Sequence, residues 1–329
     1  MKSDIAKASV GAMPETVPAA ESLSTLGVGP LRWLAVRIIG AAVFIGMAVN
    51  TAACVTLMAL IAPIKLLSGW GRLRNGCDRF LNRIAETWIA INNWILDRLT
   101  PTCWEITGRE GLSHGNWYML VANHQSWVDI LVLQKVFNRR VPMLKFFIKQ
   151  ELLWMPLLGF AWWILDFPFM KRSARGKRRN ATGDLDVAMK ACEKFKRLPV
   201  TVMNFVEGTR CTPEKQHRQK SPYRYLLRPK CGGAAIVFNA MHTHLSAILD
   251  VTIVYPQGPP TYWDLVCGRV AMVRVDIEML PVADGLVGDY VADQDFRKRI
   301  QSHFNTLWEK KDQRIARMTA EPRRSDAPA

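Results

Sequence analysis

The sequence predicts an α/β fold with a mixed, mainly parallel sheet flanked by helices, preceded by an N-terminal membrane-embedded helical segment. Three observations predict it. Strand and helix patterns alternate from residue 100 onward, as they do in α/β domains. A long uncharged apolar run precedes them. Two polar motifs directly follow apolar strands, where parallel sheets place their functional groups.

The chain divides into four predicted parts. Residues 1–30 are rich in Ala, Ser, Pro and Gly without periodicity, which is typical of a disordered tail. Residues 31–99 form a predicted membrane-anchoring helical segment, and residues 100–311 form the α/β domain. Residues 312–329 are predicted to be a polar tail.

The apolar run extends from Ile38 to Ile64 without a charged residue. At about 1.5 Å per residue, a helix of this length exceeds the roughly 30 Å hydrocarbon core of a bilayer. One spanning helix therefore fits. Because Asn50 and Thr51 lie at its middle, a helical hairpin dipping into one leaflet is the alternative. The run is too long and begins too late for a signal peptide. A buried helix of a soluble domain is less common at this length.

Basic residues flank the run, two before it and five soon after: Arg32, Arg37, Lys65, Arg72, Arg74, Arg79 and Arg83. Positive charge favours the cytoplasmic side of a membrane. We therefore expect the inner (cytoplasmic) membrane, with the α/β domain on the cytoplasmic side. The seven cysteines include no C-x-x-C pair and are consistent with a reducing compartment.

Composition excludes several classes of protein. An apolar fraction of 49% is too high for a disordered chain, and a mean hydropathy of +0.01 is too low for a polytopic transporter. Seven cysteines in 329 residues are too few for a disulfide scaffold. The net charge of +16 requires an anionic partner, which could be nucleic acid, a lipid surface or a phosphorylated substrate.

The predicted elements of the α/β domain follow from hydrophobic periodicity. Five segments have strand patterns: Trp117–Val121, Val141–Lys149, Val200–Phe205, Ile248–Tyr255 and Val273–Met279. Four segments have helical patterns: Ser126–Phe137, Asp184–Lys196, Gly232–Met241 and Asp293–Lys311.

The first polar motif, NHQSWVD, follows the strand Trp117–Val121 and contains His124 and Asp129 five residues apart. A carboxylate can fix the tautomer of a histidine and leave its other nitrogen as a general base. H-x-x-x-x-D alone is a weak signal. The alternative is a helix cap by Ser126 beside an incidental histidine.

The second motif places Glu207, Gly208, Thr209 and Arg210 directly after the strand Val200–Phe205. Glycine permits close backbone approach, Thr and Arg supply donors, and Glu can accept from a hydroxyl. The motif therefore predicts a site for phosphate and hydroxyl groups. An ordinary β-turn with a solvated ion pair is the alternative.

The third candidate follows the aromatic run Leu152–Leu165. Lys171 and Arg172 could clamp a phosphate beside a groove that faces the membrane. In the alternative interpretation the tryptophans are core residues and residues 171–179 form a solvated loop. We accept the solvated loop only for the four cations between Arg175 and Arg179.

Taken in order, NHQSWVD, FPFMKR, FVEGTR and VTIVYP resemble the four blocks of the glycerolipid acyltransferase family, over about residues 100–260. The match is to 1-acylglycerol-3-phosphate (lysophosphatidic acid) acyltransferases and related lysophospholipid acyltransferases. The resemblance implies that residues 100–311 are an acyltransferase catalytic domain. It departs at Val206, where the third block usually has proline.

The resemblance also implies roles for residues. His124 and Asp129 would be the catalytic pair. The four residues of the second motif would hold the glycerol-phosphate acceptor, with Arg172 assisting, and Pro256 would match the proline of the fourth block.

The implied reaction moves a fatty acyl group from acyl-CoA or acyl carrier protein to the hydroxyl of 1-acylglycerol-3-phosphate, giving phosphatidic acid. His124 would act as general base on that hydroxyl. Ser126 lacks a G-x-S-x-G elbow, so no nucleophilic serine is expected. We expect no cofactor and no metal, and His242 and His244 are expected to be structural.

Two other functions stay open. One keeps the chemistry and changes the acceptor to a different lysophospholipid or a lyso-aminolipid. The other is a non-catalytic basic module anchored to a membrane. Because no nucleic-acid-binding signature accompanies the 12 tryptophans, the expected partners are the acyl donor, the lysophospholipid and membrane lipids, without nucleic acid.

Overall fold

The computed structural model describes residues 30–69, 71–170, 181–290 and 292–321. Lys171 and Arg172, the predicted phosphate clamp, lie outside the described residues. The same holds for residues 1–29, which make up all but the last residue of the predicted N-terminal tail.

A six-stranded sheet forms the centre of the molecule, in the order β1-β8-β7-β2-β6-β3, and a two-stranded sheet pairs β4 with β5. The strands are β1 (Cys103–Thr107), β2 (Trp117–Ala122), β3 (Leu144–Phe146), β4 (Ile148–Lys149), β5 (Phe169–Met170), β6 (Thr201–Phe205), β7 (Leu245–Val254) and β8 (Met272–Leu280). The helices are α1 (Pro30–Leu67), α2 (Arg72–Leu99), α3 (Val128–Phe137), α4 (Leu158–Ile164), α5 (Ala181–Phe195), α6 (Pro213–Gln219), α7 (Gly232–Met241), α8 (Tyr262–Val266) and α9 (Gln294–Ala320).

The sheet is mixed and mainly parallel, which confirms the predicted fold class. Neighbouring strands run parallel except for β7 and β8. Residues Tyr118–Ala122 of the central strand β2 are fully buried. This burial follows from helices on both faces, since α5, α7 and α9 cover one side and α1, α2 and α3 the other.

The helix α1 is unbroken, so the predicted alternative of a hairpin turning near its middle is wrong. Asn50 donates to the Trp88 carbonyl at 2.9 Å and to Asn92 Oδ1 at 2.8 Å, both on α2. The polar middle of the run is therefore a contact between two helices. Within the described residues, one helix, Trp33–Leu67, is long and apolar enough to cross a membrane.

One face of α1 packs along the domain. Near its start, a Cβ at Gly40 would lie 2.4 Å from Cys267 Sγ, so only glycine lets α1 approach α8 this closely. Near its end, Lys65 Nζ lies 2.8 Å from Asp78 Oδ1 and 2.6 Å from Asp166 Oδ2. The domain therefore contacts α1 over most of its length, while the opposite face stays exposed and apolar.

Two predicted boundaries are wrong. The predicted strand Val141–Lys149 is divided into β3, which pairs with β6, and β4, which pairs with β5 in the other sheet. The final helix continues to Ala320, so the predicted domain end at residue 311 falls inside α9. It continues because Ile315 is buried and Arg314 forms ion pairs with carboxylates of β7 and β8.

Candidate active site

The loop after β2 is fixed by the buried side chain of Asn123. Its Nδ2 donates to the Ile253 carbonyl and its Oδ1 accepts from the Ile253 amide, both at 2.9 Å. The amide side chain thus continues the hydrogen-bonding pattern of β7 beyond the end of β2. Since the loop is held at this point, the next residue, His124, has a defined position at the carboxyl edge of the sheet.

His124 and Asp129 meet across this loop. His124 Nδ1 lies 2.8 Å from Asp129 Oδ2. A carboxylate only accepts hydrogen bonds, so Nδ1 carries the proton and Nε2 is left as the basic nitrogen. The His124 ring stacks on Phe205 at the end of β6, with centroids 4.0 Å apart, and 15% of the side chain is exposed. The ring is therefore oriented on two sides and open on another.

The buried carboxylate of Asp129 accepts three further hydrogen bonds. Oδ2 accepts from the backbone amides of Gln125 at 2.6 Å and Ser126 at 2.8 Å. Oδ1 accepts from the Tyr255 hydroxyl at 2.7 Å. Burial and the adjacent carboxylate raise the pKa of Tyr255 well above its usual range, so it remains a hydroxyl donor at neutral pH. Among the described residues, four donors in total fix the Asp129 side chain in its position facing the imidazole.

Glu207 is fully buried between the two motif loops. Its Oε1 accepts from the His124 amide at 3.2 Å and its Oε2 from the Leu227 amide at 2.9 Å. Burial raises the pKa of Glu207 to about 8, and the two amide donors act in the opposite direction. The contacts give Glu207 a bracing role for the histidine loop. Its expected contact with an acceptor hydroxyl stays a prediction.

The rest of the second motif lies at the surface of the site. Gly208 has a φ of 69°, a conformation that other residues rarely adopt. Thr209 Oγ1 accepts from Lys215 Nζ at 2.8 Å. The Arg210 guanidinium lies 5.0 Å from the ring centroid of Trp127, in the first motif. The two predicted motifs therefore come together at one edge of the sheet.

Neither of two nearby nucleophile candidates is activated. The Ser126 hydroxyl donates to the Pro260 carbonyl. Cys211 lies near the histidine through a backbone bond, since its amide donates to the His124 carbonyl at 2.7 Å. Burial raises the pKa of the Cys211 thiol to about 12, so the thiolate is scarce at neutral pH.

Sequence reasoning missed three residues that build this site. Asn123 fixes the loop, Tyr255 supports Asp129, and the Leu227 amide holds Glu207. A signal existed for Tyr255, which directly precedes Pro256 in the fourth motif. Nothing in the sequence predicts the contact with Leu227, because it is made by a backbone amide, which every residue except proline has.

Residues 103–256 match the family model described as Acyltransferase, an interval that contains both motifs. The matched segment is a little under half of the chain. The fold of the chain is also similar to a crystal structure titled 1-acyl-sn-glycerophosphate (LPA) acyltransferase, PlsC, from Thermotoga maritima. That likeness has a TM-score of 0.55 at 18% identity and covers 88% of this chain and 99% of the other.

Curated relatives that are similar to this chain are acyltransferases with several different names. Lysocardiolipin acyltransferase 1 of Danio rerio is 26% identical over 292 residues, covering 84% of this chain and 70% of the relative. 1-acyl-sn-glycerol-3-phosphate acyltransferase 2 of Arabidopsis thaliana is 27% identical over 242 residues, covering 66% of this chain and 60% of the relative. 1-acyl-sn-glycerol-3-phosphate acyltransferase epsilon of Mus musculus is 26% identical over 182 residues, covering 49% of this chain and 48% of the relative.

Proposed function

We propose that the protein is a membrane-bound O-acyltransferase that acylates the free hydroxyl of 1-acylglycerol-3-phosphate, giving phosphatidic acid. The observation that carries the proposal is the His124–Asp129 pair, 2.8 Å apart beside the loop Glu207–Arg210. The acyl donor is a thioester, either acyl-CoA or acyl carrier protein.

The proposed reaction uses the open side of the histidine. The acceptor hydroxyl gives its proton to His124 Nε2 while its oxygen attacks the thioester carbonyl carbon. The tetrahedral adduct collapses with cleavage of the C–S bond, and the leaving thiolate takes the proton back from the imidazolium. Asp129 stabilises the imidazolium between these steps. General-base help of this kind contributes about 10²–10⁴-fold, and positioning supplies the rest.

The proposed acceptor site is the surface part of the second motif. Arg210 and Thr209 would contact the phosphate of the lysolipid, with Lys171 and Arg172 as further cations. Arg210 is held over Trp127, one residue before the helix that carries Asp129. A phosphate bound there would lie beside the catalytic pair.

A second candidate keeps the reaction and changes the acceptor to another lysophospholipid. Two observations favour it. Some of the curated relatives are named for lysocardiolipin and one for lysophosphatidylinositol, and Val206 replaces the proline that the third block usually contains. Proline fixes the backbone angle φ, so a loop with valine at this position is less restricted and can suit a different acceptor head group.

We also propose that the exposed face of α1 contacts the membrane, at the inner membrane with the domain on the cytoplasmic side. The support is the apolar outer face of α1. Because its other face packs on the domain from Gly40 to Lys65, α1 would lie along the leaflet and not cross it.

The test is an acceptor panel with one acyl-CoA, comparing lysophosphatidic acid with lysophospholipids that lack a terminal phosphate. We expect the highest kcat/KM with lysophosphatidic acid. We expect Arg210→Gln to raise the acceptor KM about tenfold and leave the donor KM unchanged. Arg218→Gln, an exposed arginine on α6, is the matched control. Equal rates across the panel would reject the phosphatidic acid reaction and favour the second candidate.

A further inference from the structure

The turn between β4 and α4 presents large apolar side chains to the outside. Four consecutive residues, Trp154–Leu157, are exposed. Trp154 is 84% exposed and Leu157 is 46% exposed, and Trp163 on α4 is 44% exposed. Single exposed apolar residues are ordinary, but four exposed residues in a row, followed by an exposed tryptophan on the next helix, mark an interaction surface.

This apolar turn is built rigidly. A 3₁₀ turn at Gln150–Trp154 leads into it, and Leu157 adopts a φ of 62°, which non-glycine residues rarely do. A Cβ at Gly159 would lie 1.9 Å from the Leu153 carbonyl oxygen, so glycine is required where the chain re-enters α4. The fold thus holds the tryptophans outward while Ala161 is buried on the inner face of α4.

The inner face of α4 packs on the second half of α1. Ile164 of α4 belongs to the same buried cluster as Val55 and Met58 of α1. The outer residues of α1 in this half are apolar and exposed, including Leu60 at 67%. The apolar turn therefore leads into a helix that packs on the half of α1 whose outer face we assign to the membrane.

We propose that the apolar turn Trp154–Leu157, together with Trp163, inserts into the leaflet that α1 contacts, as a second membrane attachment of this protein. Tryptophan favours the boundary between headgroups and acyl chains, because its ring is apolar and its N–H is polar. The turn would fix the rotation of the domain about α1. That rotation sets the height of the catalytic edge above the lipid.

Charge argues against an acidic carrier protein on this surface. The segment Leu152–Leu165 contains no charged residue, so it offers no cation to an acidic partner. A second copy of this chain is the other apolar partner, and the test below separates it from lipid.

The test uses the full chain reconstituted into phosphatidylcholine–phosphatidylglycerol vesicles with acyl chains brominated near the headgroup. The difference in fluorescence between the wild-type protein and Trp154→Phe is the emission of Trp154. We expect the brominated lipid to quench this emission by at least about half. Trp117→Phe is the control, because Trp117 Nε1 donates to the Phe195 carbonyl at 2.9 Å inside the domain. The fluorescence that this control removes should not respond to brominated lipid.

A second variant, Trp154→Glu, measures the effect on rate. We expect acylation of acceptors embedded in vesicles to fall at least about fivefold, because a carboxylate is costly at that depth. Acylation of the same acceptor in detergent micelles should stay within about twofold, since the turn is not part of the catalytic machinery.

Three results would overturn the proposal. Quenching of Trp154 by aqueous iodide on vesicles, without quenching by brominated lipid, would show a solvated turn. Conversion of a dimer to a monomer by Trp154→Glu in lipid nanodiscs, again without brominated-lipid quenching, would assign the turn to a second copy. Equal loss of vesicle and micelle activity would show general damage. The fluorescence readout needs no turnover, so failure of the proposed function would leave this test intact.

Discussion

Two buried aspartates, one on α3 and one on β7, have different surroundings. Asp129 and Asp250 are both fully buried. Asp129 faces His124, whose ring is partly open to the outside. Asp250 faces Lys311, whose Nζ lies 2.6 Å away, is fully buried, and also donates to the Val251 carbonyl at 2.7 Å.

The two aspartates are equally buried. They differ in the residue that each one faces and in whether that residue is open to solvent. Burial lowers the pKa of Lys311, and the ion pair with Asp250 acts against that change. Arg314 completes this second cluster with an ion pair of 3.4 Å to Asp250. A buried charge pair without solvent access stabilises the fold, whereas a pair with a solvent-exposed titratable atom can take part in catalysis. The predictions below test this division.

The largest effect is expected at the open pair. His124→Gln should lower kcat by about 10²–10⁴-fold, because the general base is lost while the side-chain volume is similar. The thermal midpoint should stay within a few degrees of the wild-type value. Acyl-CoA-dependent acylation and thermal unfolding measure the two quantities. Retained activity would remove His124 from the mechanism.

The closed pair should give the reverse pattern. Lys311→Ala should lower the free energy of unfolding by about 3–5 kcal/mol, because Asp250 loses its buried partner. Lys298→Ala is the control, since Lys298 pairs with Asp295 on the exposed side of α9, and should change it by less than about 0.5 kcal/mol. Denaturant titration gives both values. Equal effects in the two variants would contradict the division.

Tyr255→Phe probes a hydroxyl that supports the catalytic carboxylate. We expect kcat to fall about tenfold, because a hydrogen bond to a charged group contributes about 1.5 kcal/mol. Both KM values should stay within about twofold, because the Tyr255 hydroxyl contacts Asp129 and not a substrate. Tyr262→Phe is the control, since that hydroxyl contacts only Met47 Sδ, at 3.9 Å, among the described residues. An unchanged kcat would leave Tyr255 a purely structural role.

The last effect is a dependence of stability on pH, and it concerns Glu207. Its pKa of about 8 in the fold exceeds the ordinary value of 4.5, so between these values the folded protein binds a proton that the unfolded chain has released. The unfolding free energy should therefore fall as pH rises from 5 to 8, by up to about 1.4 kcal/mol per pH unit. Glu207→Gln should remove that slope, and Glu193→Gln, at an exposed carboxylate, should not. If the unfolding free energy changed with pH by the same slope in the wild-type protein and in both variants, the raised pKa of Glu207 would be contradicted.

Much of the domain was predictable because its signals are local. The strand β2 is an apolar segment bounded by polar residues, and α7 begins and ends where its apolar pattern does. The placement of two motifs after β2 and β6 was predictable too, because parallel neighbouring strands end at the same edge of a sheet.

The remainder depends on contacts distant in sequence. Nothing local to Gly40 indicates that it approaches Cys267, and nothing local to Glu207 indicates that both its oxygens face backbone amides. The extension of α9 to Ala320 depends on Arg314 reaching the carboxylates of two strands. Periodicity describes one element at a time and does not identify its partner.

The packing of α1 on α8 has a consequence for synthesis of the chain. Gly40 leaves the ribosome more than 200 residues before Cys267, its contact in the finished fold. At about 5–20 residues per second, α1 waits on the order of 10–40 s for that partner. During this interval α2 can already pack on α1, through contacts such as those of Asn50 with Trp88 and Asn92, but the surface of α1 that meets α8 and its outer apolar face are uncovered. We therefore expect the nascent helix pair to need lipid or a chaperone before α8 exists.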